Sequence, residues 1–267
     1  MPFKYMRPWL PNSSTSIQKW LISAIYMLVL AYSNASASET QTLVLNDTNE
    51  APFTTDAGDG FLDIIAREAF RRAKLGLKLE QLPPERGLLS ANTGLLDGDL
   101  SRIAGLEKTY PNLVRVPEKL VDWHFVAFTR QPDLRNASWS MLRPFTVGHI
   151  KGWKIYEQNL KQHPQVVTVD TPEQLFTMLD KGRIDIALYA RSTGLALVQS
   201  MGIQNIRIIE PSLAEREMYI YLHLKHADKA PAIAAALRDI KREGLYTQVC
   251  RSKLTPYKSE TAQCRGN

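Results

Sequence analysis

Five histidines and one Asp-Gly segment are the residues whose types could support metal chemistry. His223 and His226 form the closest histidine pair, but His223 falls in a predicted strand, where a three-residue step turns two side chains to opposite faces. The segment from Asp56 to Gly60 resembles part of a calcium loop without its distal glutamate, and we interpret it as a turn. We therefore expect neither a metal nor a cofactor.

Motifs for nucleophilic or phosphate chemistry are absent from the sequence. It contains no Gly-x-Ser-x-Gly elbow, no phosphate-binding loop that ends in Gly-Lys-Ser or Gly-Lys-Thr, and no His-Glu-x-x-His zinc motif. The sequence therefore predicts no catalytic residues, and candidate site residues are sought among side chains that bind a small molecule.

The elements that must position any site alternate between strand and helix along the chain. Residues 61–75 place apolar side chains at steps of three and four, which predicts a helix, and Gly76 ends it before a half-buried strand at 77–82. Thr171 and Pro172 mark another helix start, because threonine caps a helix and proline fits its first position. The same patterns predict strands at 43–45, 145–147, 166–169, 184–189, 206–209 and 218–224, and a last helix at 231–249.

This alternation, with its short connections, predicts an α/β fold whose sheets carry helices on both faces. No segment repeats with a period of 20–50 residues, which excludes solenoids and propellers. Apolar residues make up 44% of the chain and charged residues 22%, a globular balance that argues against a disordered or fibrous protein. The length fits one large domain or two small lobes.

The first 37 residues have the pattern of a signal peptide. A basic start precedes a mainly apolar run at 20–32, which is too short to span a bilayer comfortably, and Ala35-Ser36-Ala37 then matches a cleavage site. We expect cleavage after Ala37 and an exported mature protein that begins at Ser38; an uncleaved membrane anchor is the alternative. No cysteine lies near the cleavage point, so a lipid anchor is not supported.

The formal net charge of +6 comes from 33 Lys and Arg against 27 Asp and Glu. The leader holds three of the basic residues and no acidic residue, which leaves 30 basic against 27 acidic residues, or +3 over 230 residues. A protein that binds nucleic acid normally shows a denser basic stripe. We therefore expect no nucleic-acid partner.

The two cysteines, Cys250 and Cys264, lie 14 positions apart near the C-terminus. Export would place them in an oxidising compartment, where a disulfide closing this short loop contributes about 3 kcal/mol in the chain-entropy model. Two free thiols are the alternative. Metal ligation is a poorer interpretation, because no His or Cys pair lies beside them at zinc-site spacing.

Six short motifs occur in order along the chain after the leader. They are Ala51-Pro52-Phe53, Gly60-Phe61, Gly94-Leu95-Leu96-Asp97, Val147-Gly148 with Gly152, Gly182-Arg183-Ile184-Asp185, and the helix between Leu237 and Val249. In this order they resemble periplasmic solute-binding proteins of family 3, the amino-acid-type substrate-binding proteins of ABC transporters. Segments 84–86, 97–106 and 110–117 are similar to a divergent branch of that family.

The resemblance implies a two-lobed periplasmic-binding-protein-like fold of type II. In this fold each lobe is a sheet flanked by helices, and two hinge segments cross between the lobes. The crossings would lie near 127–129 and 221–222, so that lobe 1 combines 38–128 with 222–267 and lobe 2 spans 129–221. Closure of two such lobes over a ligand is a hinge motion.

The resemblance also implies a non-enzymatic periplasmic protein that captures a small molecule between its lobes for a membrane transporter. The expected partners are this small-molecule ligand and an inner-membrane ABC permease or receptor, and the protein is expected to be a monomer. A sensory protein that signals to a receptor and a dehydratase-like enzyme are alternatives. For an enzyme, Glu50 and Asp99 are the only acids that we place near the cleft, and neither has an identifiable acid–base partner.

Ala190 departs from the family pattern, because amino-acid binders generally place an aspartate there that holds the ligand's ammonium. A buried ammonium without a carboxylate is costly, so we expect an anionic or planar polar ligand rather than an α-amino acid. Arginine binds carboxylates through paired hydrogen bonds, and aromatic rings stack on planar groups. The expected ligand-binding residues are Phe53, Arg86, Arg102, Trp123, His149, Trp153, Lys154, Tyr189 and Arg191.

Each of these residues also has a structural alternative. An interlobe salt bridge would explain Arg102, and a helix cap or an ion pair with Glu85 or Asp97 would explain Arg86. The aromatic residues would serve equally in core or sheet packing, and Arg191 would serve on an exposed surface. The sequence leaves these alternatives open.

Overall fold

A computed structural model gives the arrangement of residues 1, 4, 40–48, 50–257 and 264, which are the residues described below. The chain divides into two units, Met1–Thr40 and Gln41–Asn267, and every element below belongs to the second. Apart from Met1 and Lys4, the predicted signal peptide lies outside the described residues. Within the described ranges, no helix has both the length and the apolar character that a membrane span requires.

The first part of the sheet consists of parallel strands joined through helices. β1 (Thr42–Asp47) pairs in parallel with both β2 (Gly76–Gln81) and β3 (Gly98–Ile103). Along the chain, α1 (Phe61–Arg72) connects β1 to β2, and α2 (Pro84–Thr93) connects β2 to β3. This is the strand–helix–strand arrangement that the alternating sequence pattern predicts.

The N-terminal end of α1 is held by one acidic side chain. Asp63 Oδ2 accepts hydrogen bonds from Gly60 N at 3.0 Å and from Thr55 N at 2.9 Å, so the helix start and the preceding loop are tied together. The predicted apolar stripe faces the core, where the buried residues are Phe61, Leu62, Ile65, Ala66, Ala69 and Phe70.

The second part of the sheet is also built from parallel strands. β6 (Val147–Ile150) pairs in parallel with β7 (Val166–Val169) and with β8 (Ile186–Ala190). One helix follows each strand: α3 (Lys154–Asn159), α4 (Pro172–Asp180) and α5 (Arg191–Ser200).

Two long strands, β5 (Val121–Thr129) and β9 (Arg207–His223), join these parts into one nine-stranded sheet. They pair with each other in antiparallel fashion, and the sheet order is β2-β1-β3-β9-β5-β8-β6-β7. The short strand β4 (Leu113–Arg115) adds to β9 outside this path.

The pairing of β5 and β9 changes along their length, as expected of hinge strands. The last part of β9, from Met218 to Leu222, pairs with β3, whereas β5 pairs with β8 from Phe125 onward. The strand β9 therefore contacts the first part of the sheet and β5 contacts the second, and the pairing of β5 with β9 connects the two parts. The predicted lobe boundaries, 38–128 with 222–267 and 129–221, stay a prediction.

The C-terminal helices differ from the single helix predicted at 231–249. The structure has α6 (Ala230–Arg242) and α7 (Leu245–Leu254), separated at Gly244, whose φ of +84° breaks the helical path. The predicted disulfide is confirmed: Cys250 of α7 is bonded to Cys264 with their Cα atoms 5.4 Å apart. Short 3₁₀ helices occupy Leu106–Lys108, Leu224–Lys229 and Thr255–Tyr257.

The other sequence predictions match the structure to different degrees. The start of α4 is confirmed in detail, because the Thr171 side chain accepts a hydrogen bond from Gln174 N and Pro172 is the first helical residue. The two runs predicted at 206–209 and 218–224 are parts of the single strand β9. The polar residues between them stay in strand conformation because β5 supplies their hydrogen-bonding partners.

Candidate functional site

A narrow cavity lies where the ends of β1 and β3 face the hinge strand β5 and the turn before α3. The cavity has a volume of about 40 Å³, which is room for a few water molecules. Its residues therefore come from both parts of the sheet and from the strand that connects them. The lining residues are Thr48, Glu50, Ser101, Arg102, Ile103, Leu106, Trp123, Phe125, Gly152, Trp153, Lys154, Ile155 and Met218.

Four of the lining residues each place a buried polar atom without a hydrogen-bond partner among the described residues. The atoms are Glu50 Oε2, Ser101 Oγ, Arg102 Nε and Trp123 Nε1. Most buried polar groups in folded proteins are paired, because an unpaired one costs about 1–3 kcal/mol. Four such atoms around one cavity are the arrangement that a polar ligand would complete.

Arg102 is oriented by two acceptors, one on β3 and one at the start of α2. Its Nη2 donates to Asp99 Oδ2 at 2.8 Å and to the Pro84 carbonyl at 2.7 Å, and Asp99 in turn accepts from Asn46 Nδ2 at 3.0 Å. The side chain is nearly buried, with about 10% of its surface exposed. The guanidinium is therefore fixed in place, while its buried Nε has no partner among the described residues.

Ser101 and Arg102 both line the cavity although neighbouring side chains of a regular strand point to opposite faces. The register between β3 and β9 shifts between Asp99 and Arg102, which marks an irregularity in β3. Such irregularities re-aim side chains next to sites. This local break lets two consecutive residues face the same cavity.

Glu50 is a buried residue near the beginning of the loop that follows β1. Burial raises its pKa to about 8, outweighing the hydrogen bonds from Thr48 and Tyr189 and the nearby charge of Arg102, all of which favour the carboxylate. Asp47 adds to the increase through like-charge repulsion. At neutral pH the Glu50 carboxyl is therefore mostly protonated.

Lys154 connects two helices from different parts of the sheet beside the cavity. Its Nζ contacts Glu85 Oε2 of α2 at 2.5 Å and Glu157 Oε2 of α3 at 3.0 Å. Partial burial lowers the pKa of Lys154, but the hydrogen bonds to the two carboxylates hold that pKa above its ordinary value. The ammonium group is therefore charged and shared between α2 and α3.

Gly152 permits the close approach of the turn before α3 to the backbone of α2 at Glu85. Its φ is +87°, and a Cβ atom on it would lie 2.6 Å from Glu85 N. Gly152 N donates to Glu157 Oε1 at 2.7 Å, which fixes the turn before α3. A larger residue here would separate the Glu85 backbone from the Lys154 turn.

Aromatic rings form one wall of the cavity and continue behind it. Trp123 and Trp153 line the cavity with their ring centroids 5.5 Å apart. Behind them, Phe53 stacks on Trp123 at 5.3 Å, and Tyr189 stacks on Trp153 at 4.6 Å. Tyr156 also stacks on Trp153 at 5.8 Å, and its hydroxyl donates to the Tyr189 carbonyl. The stack presents two indole rings to the cavity.

The nine predicted site residues thus fall into three groups. Arg102, Trp123, Trp153 and Lys154 line the cavity. Phe53 and Tyr189 are buried directly behind the two tryptophans. The remaining three lie elsewhere: Arg86, His149 and Arg191.

These three residues have other surroundings. Arg86 is exposed on α2. Arg191, the first residue of α5, makes a two-pronged ion pair with Glu210 at 2.6 and 2.7 Å. His149 is buried in β6, where burial lowers its pKa, and it lines a separate open groove beside β7. Their assignment as ligand-binding residues stays a prediction that the cavity does not support.

Thr48, Glu50, Ser101 and Phe125 line the cavity but are not among the predicted site residues. The sequence position of Glu50 could have identified it as a site residue, because it immediately precedes the motif Ala51-Pro52-Phe53 after the first strand. Ser101 had no such signal, because strand alternation places it on the face opposite to Arg102.

Comparisons with known proteins give no family assignment. No known protein-family profile matches the chain. An uncharacterized protein of Shewanella oneidensis is 27% identical over 186 residues, which cover 65% of this chain and 69% of that protein.

Solved structures with the same architecture are similar over most of the chain. A mutant of the arginine-binding protein ArgBP from T. maritima has a TM-score of 0.69 and 21% identity, and covers 86% of this chain and 100% of its own. A histidine kinase sensor domain with similarity to periplasmic binding proteins has a TM-score of 0.70 and 16% identity, covering 81% and 96%.

The arginine-, lysine-, histidine-binding protein ArtJ from Geobacillus stearothermophilus has a TM-score of 0.69 and 17% identity, covering 81% of this chain and 96% of that protein. ArgBP and ArtJ are binding proteins rather than enzymes. At these identities the likeness concerns the fold alone. The chain has the two-lobed α/β fold of the periplasmic binding proteins.

Proposed function

We propose that this chain is an exported solute-binding protein that holds a small polar molecule between its lobes and delivers it to a membrane transporter. The observation that carries the proposal is the set of four unpartnered polar atoms, all buried around one cavity at the meeting point of the lobes. A ligand that forms hydrogen bonds with these atoms would offset the free-energy cost of burying them without partners. A ligand of this kind would also favour closure of the lobes.

An anionic ligand agrees with the charges that line the cavity. Two of the ionisable lining residues, Arg102 and Lys154, are cations, and burial keeps the third, Glu50, mostly neutral at pH 7. Carboxylates behind the lining partly balance the cations, because Asp99 pairs with Arg102 and Glu85 pairs with Lys154. The excess of positive charge is therefore confined to the lining itself.

The aromatic residues of the cavity favour a ligand with a planar group. Trp123 and Trp153 line the cavity together with the residues that carry the unpartnered polar atoms. A planar group of the ligand would stack on an indole face, and such contacts contribute about 0.5–1.5 kcal/mol beyond the buried area. The proposed ligand is thus small, carries an acceptor group such as a carboxylate, and has a planar part.

Ala190 supports a ligand other than an α-amino acid. It is buried at the end of β8, where its methyl group offers no partner for an ammonium. Glu50, whose carboxyl accepts a hydrogen bond from the neighbouring Tyr189, is the acidic lining residue that would pair with an ammonium after losing its proton. The binding experiment therefore has to distinguish an amino-acid ligand from the proposed anionic ligand.

The test is a thermal-shift panel on the mature protein, residues 38–267. The panel contains the carboxylates acetate, pyruvate, succinate and benzoate, the amides acetamide, succinamide and benzamide, and the amino acids arginine, lysine, histidine and glutamine. A compound at a hundredfold over its Kd adds about 2.7 kcal/mol of stability. We expect a carboxylate to stabilise the protein more than its matched amide. Stabilisation by the amino acids alone would contradict the ligand class, and no stabilisation by any compound would contradict the proposed function.

Sensing is a second candidate, because a histidine kinase sensor domain has the same fold. The two roles differ in what happens when the gene is deleted. Transport predicts that uptake of the radiolabelled panel compound falls, whereas sensing predicts normal uptake and a lost transcriptional response to that compound.

A further inference from the structure

We propose that Glu50 takes part in binding as a neutral carboxylic acid that donates a hydrogen bond from Oε2, so that the site takes a carboxylate and binding depends on the Glu50 proton. This inference rests on the proposed function and makes its ligand class specific. Under this proposal, Glu50 is a residue that determines which ligands the site binds.

The geometry of Glu50 leaves one oxygen for a ligand. The carboxyl accepts hydrogen bonds from the side chains of Thr48 and Tyr189, while Oε2 is buried and has no partner among the described residues. The backbone is also held, because Glu50 N donates to Thr54 Oγ1 at 2.9 Å and the Glu50 carbonyl accepts from Phe53 N at 2.9 Å. Oε2 is therefore a fixed group in the cavity lining.

Charged and titratable groups face Glu50 from every side. They are Asp47 at the end of β1, Arg102 on β3, Tyr156 on α3 and Tyr189 on β8, and Lys154 lines the same cavity. Burial and Asp47 disfavour a negative charge on Glu50, whereas Arg102 and the hydrogen-bond donors favour it. Burial is the largest of these effects and places the pKa of Glu50 at about 8.

A protonated Oε2 changes what the cavity offers. Arg102 Nε–H and Trp123 Nε1–H are donors, the Ser101 hydroxyl donates or accepts, and Oε2–H becomes a further donor. Converging donors require acceptor oxygens, and a carboxylate supplies two. A carboxylate beside an ionised Glu50 would instead meet a like charge at close range.

The sign of the pH dependence follows from this arrangement. If the ligand is a carboxylate, its Kd is constant below the pKa of Glu50 and rises tenfold per pH unit above it, because the binding-competent protonated form disappears. If the ligand is a cation, Glu50 must ionise to accept it, and the Kd falls as the pH rises towards 8. The two ligand classes therefore predict opposite slopes.

The first experiment needs no ligand. Carbon-13 NMR of the glutamate side-chain carboxyls, recorded from pH 4 to 10 on the mature protein, is expected to show one resonance that titrates near pH 8 and is missing in Glu50→Gln. Glu80→Gln, on the exposed strand β2, is the matched control and should leave that resonance in place. Tyr189→Phe removes a donor to the carboxylate and should move the titration to higher pH. Titration of the Glu50 resonance near pH 4.5 would overturn the proposal.

The second experiment measures calorimetric Kd values for benzoate, benzamide and benzylamine, which share one ring and differ in charge, at pH 6, 7, 8 and 9. In the wild type we expect benzoate binding to weaken about fivefold between pH 8 and 9, because Glu50 is half protonated at its pKa of about 8, and in Glu50→Gln we expect it to be independent of pH because the amide still donates. Stronger binding at higher pH, or tighter binding of benzylamine than of benzoate, would overturn the proposal.

The two experiments separate the failure of this inference from that of the proposed function. If a carboxylate binds but Glu50 titrates near pH 4.5, only the inference about Glu50 fails. If no compound of the panel binds while Glu50 titrates near pH 8, the proposed function fails and the ligand class fails with it.

Discussion

Arg102 Nη2 donates to Asp99 Oδ2 at 2.8 Å, while the buried Nε of the same guanidinium has no partner among the described residues. Both residues of the pair belong to β3, and Arg102 lines the cavity. An arginine held in this way keeps one donor for a ligand and loses little side-chain freedom on binding.

Replacement of the cavity arginine should weaken ligand binding. Arg102→Ala removes a buried charged donor, so we expect the Kd of a compound that stabilises the wild type to rise about 10- to 100-fold. The variant also removes the cationic partner of the buried Asp99, which keeps its hydrogen bond from Asn46, and this should lower the free energy of unfolding by about 3–5 kcal/mol. Calorimetry at a temperature where circular dichroism shows the variant folded measures the first effect.

Arg191→Ala is the matched control, because Arg191 pairs with Glu210 away from the cavity. Its Kd should stay within about twofold of the wild-type value. Equal losses of affinity in Arg191→Ala and Arg102→Ala would remove the distinction between the two arginines and restore the broader set of binding residues expected from the sequence.

Glu50 should make the protein less stable as the pH rises. Its folded-state pKa of about 8 lies above the ordinary glutamate value of 4.5, so the stability that its neutral form contributes is complete below pH 4.5 and is lost as the pH approaches 8. The loss attributable to Glu50 should be about 1.4 kcal/mol per pH unit across this window. Urea unfolding at half-unit pH steps should show a shallower dependence for Glu50→Gln than for the wild type; parallel curves would contradict the assignment.

The disulfide should stabilise the C-terminal helix region. Cys250 is buried in α7, and its bond to Cys264 closes a loop over 14 positions. The double variant Cys250→Ala/Cys264→Ala should unfold with a free energy about 3 kcal/mol below that of the wild type. Wild-type protein treated with dithiothreitol should lose a similar amount, and an unchanged urea midpoint in both samples would refute the stabilising role.

The leader should be removed on export. We expect N-terminal sequencing of the protein from the periplasmic fraction to begin at Ser38, because Ala35-Ser36-Ala37 matches a cleavage site. Ala37→Leu places a large side chain at the cleavage position and should leave the precursor unprocessed. A wild-type protein that retains residues 1–37 in the membrane fraction would support the uncleaved anchor instead.

Local sequence patterns were sufficient for most elements of the fold. The start of α4 depends only on Thr171, Pro172 and Gln174, which are neighbours in the chain, and the structure confirms it. The break between α6 and α7 escaped prediction because the apolar periodicity continues across Gly244. The continuity of β9 likewise depends on pairing with β5, a distant segment.

The site was harder to predict because its groups are separated in the chain. Arg102 and Arg191 are the same residue type beside predicted strands, and only the distant partner Glu210 places Arg191 away from the cavity. The pKa of Glu50 is raised by burial and lowered in part by a hydrogen bond from Tyr189, which lies 139 positions away. A sequence pattern records residue types but not which distant groups surround them.

A crystal structure of the mature protein with the panel compound that stabilises it most tests the central claim most directly. We predict that the compound lies in the cavity lined by Trp123 and Trp153, with acceptor oxygens within about 3.2 Å of Arg102 Nε and Trp123 Nε1 and one oxygen facing Glu50 Oε2. A compound bound outside this cavity, for example in the groove beside His149, or one that leaves these atoms unpaired, would contradict the account.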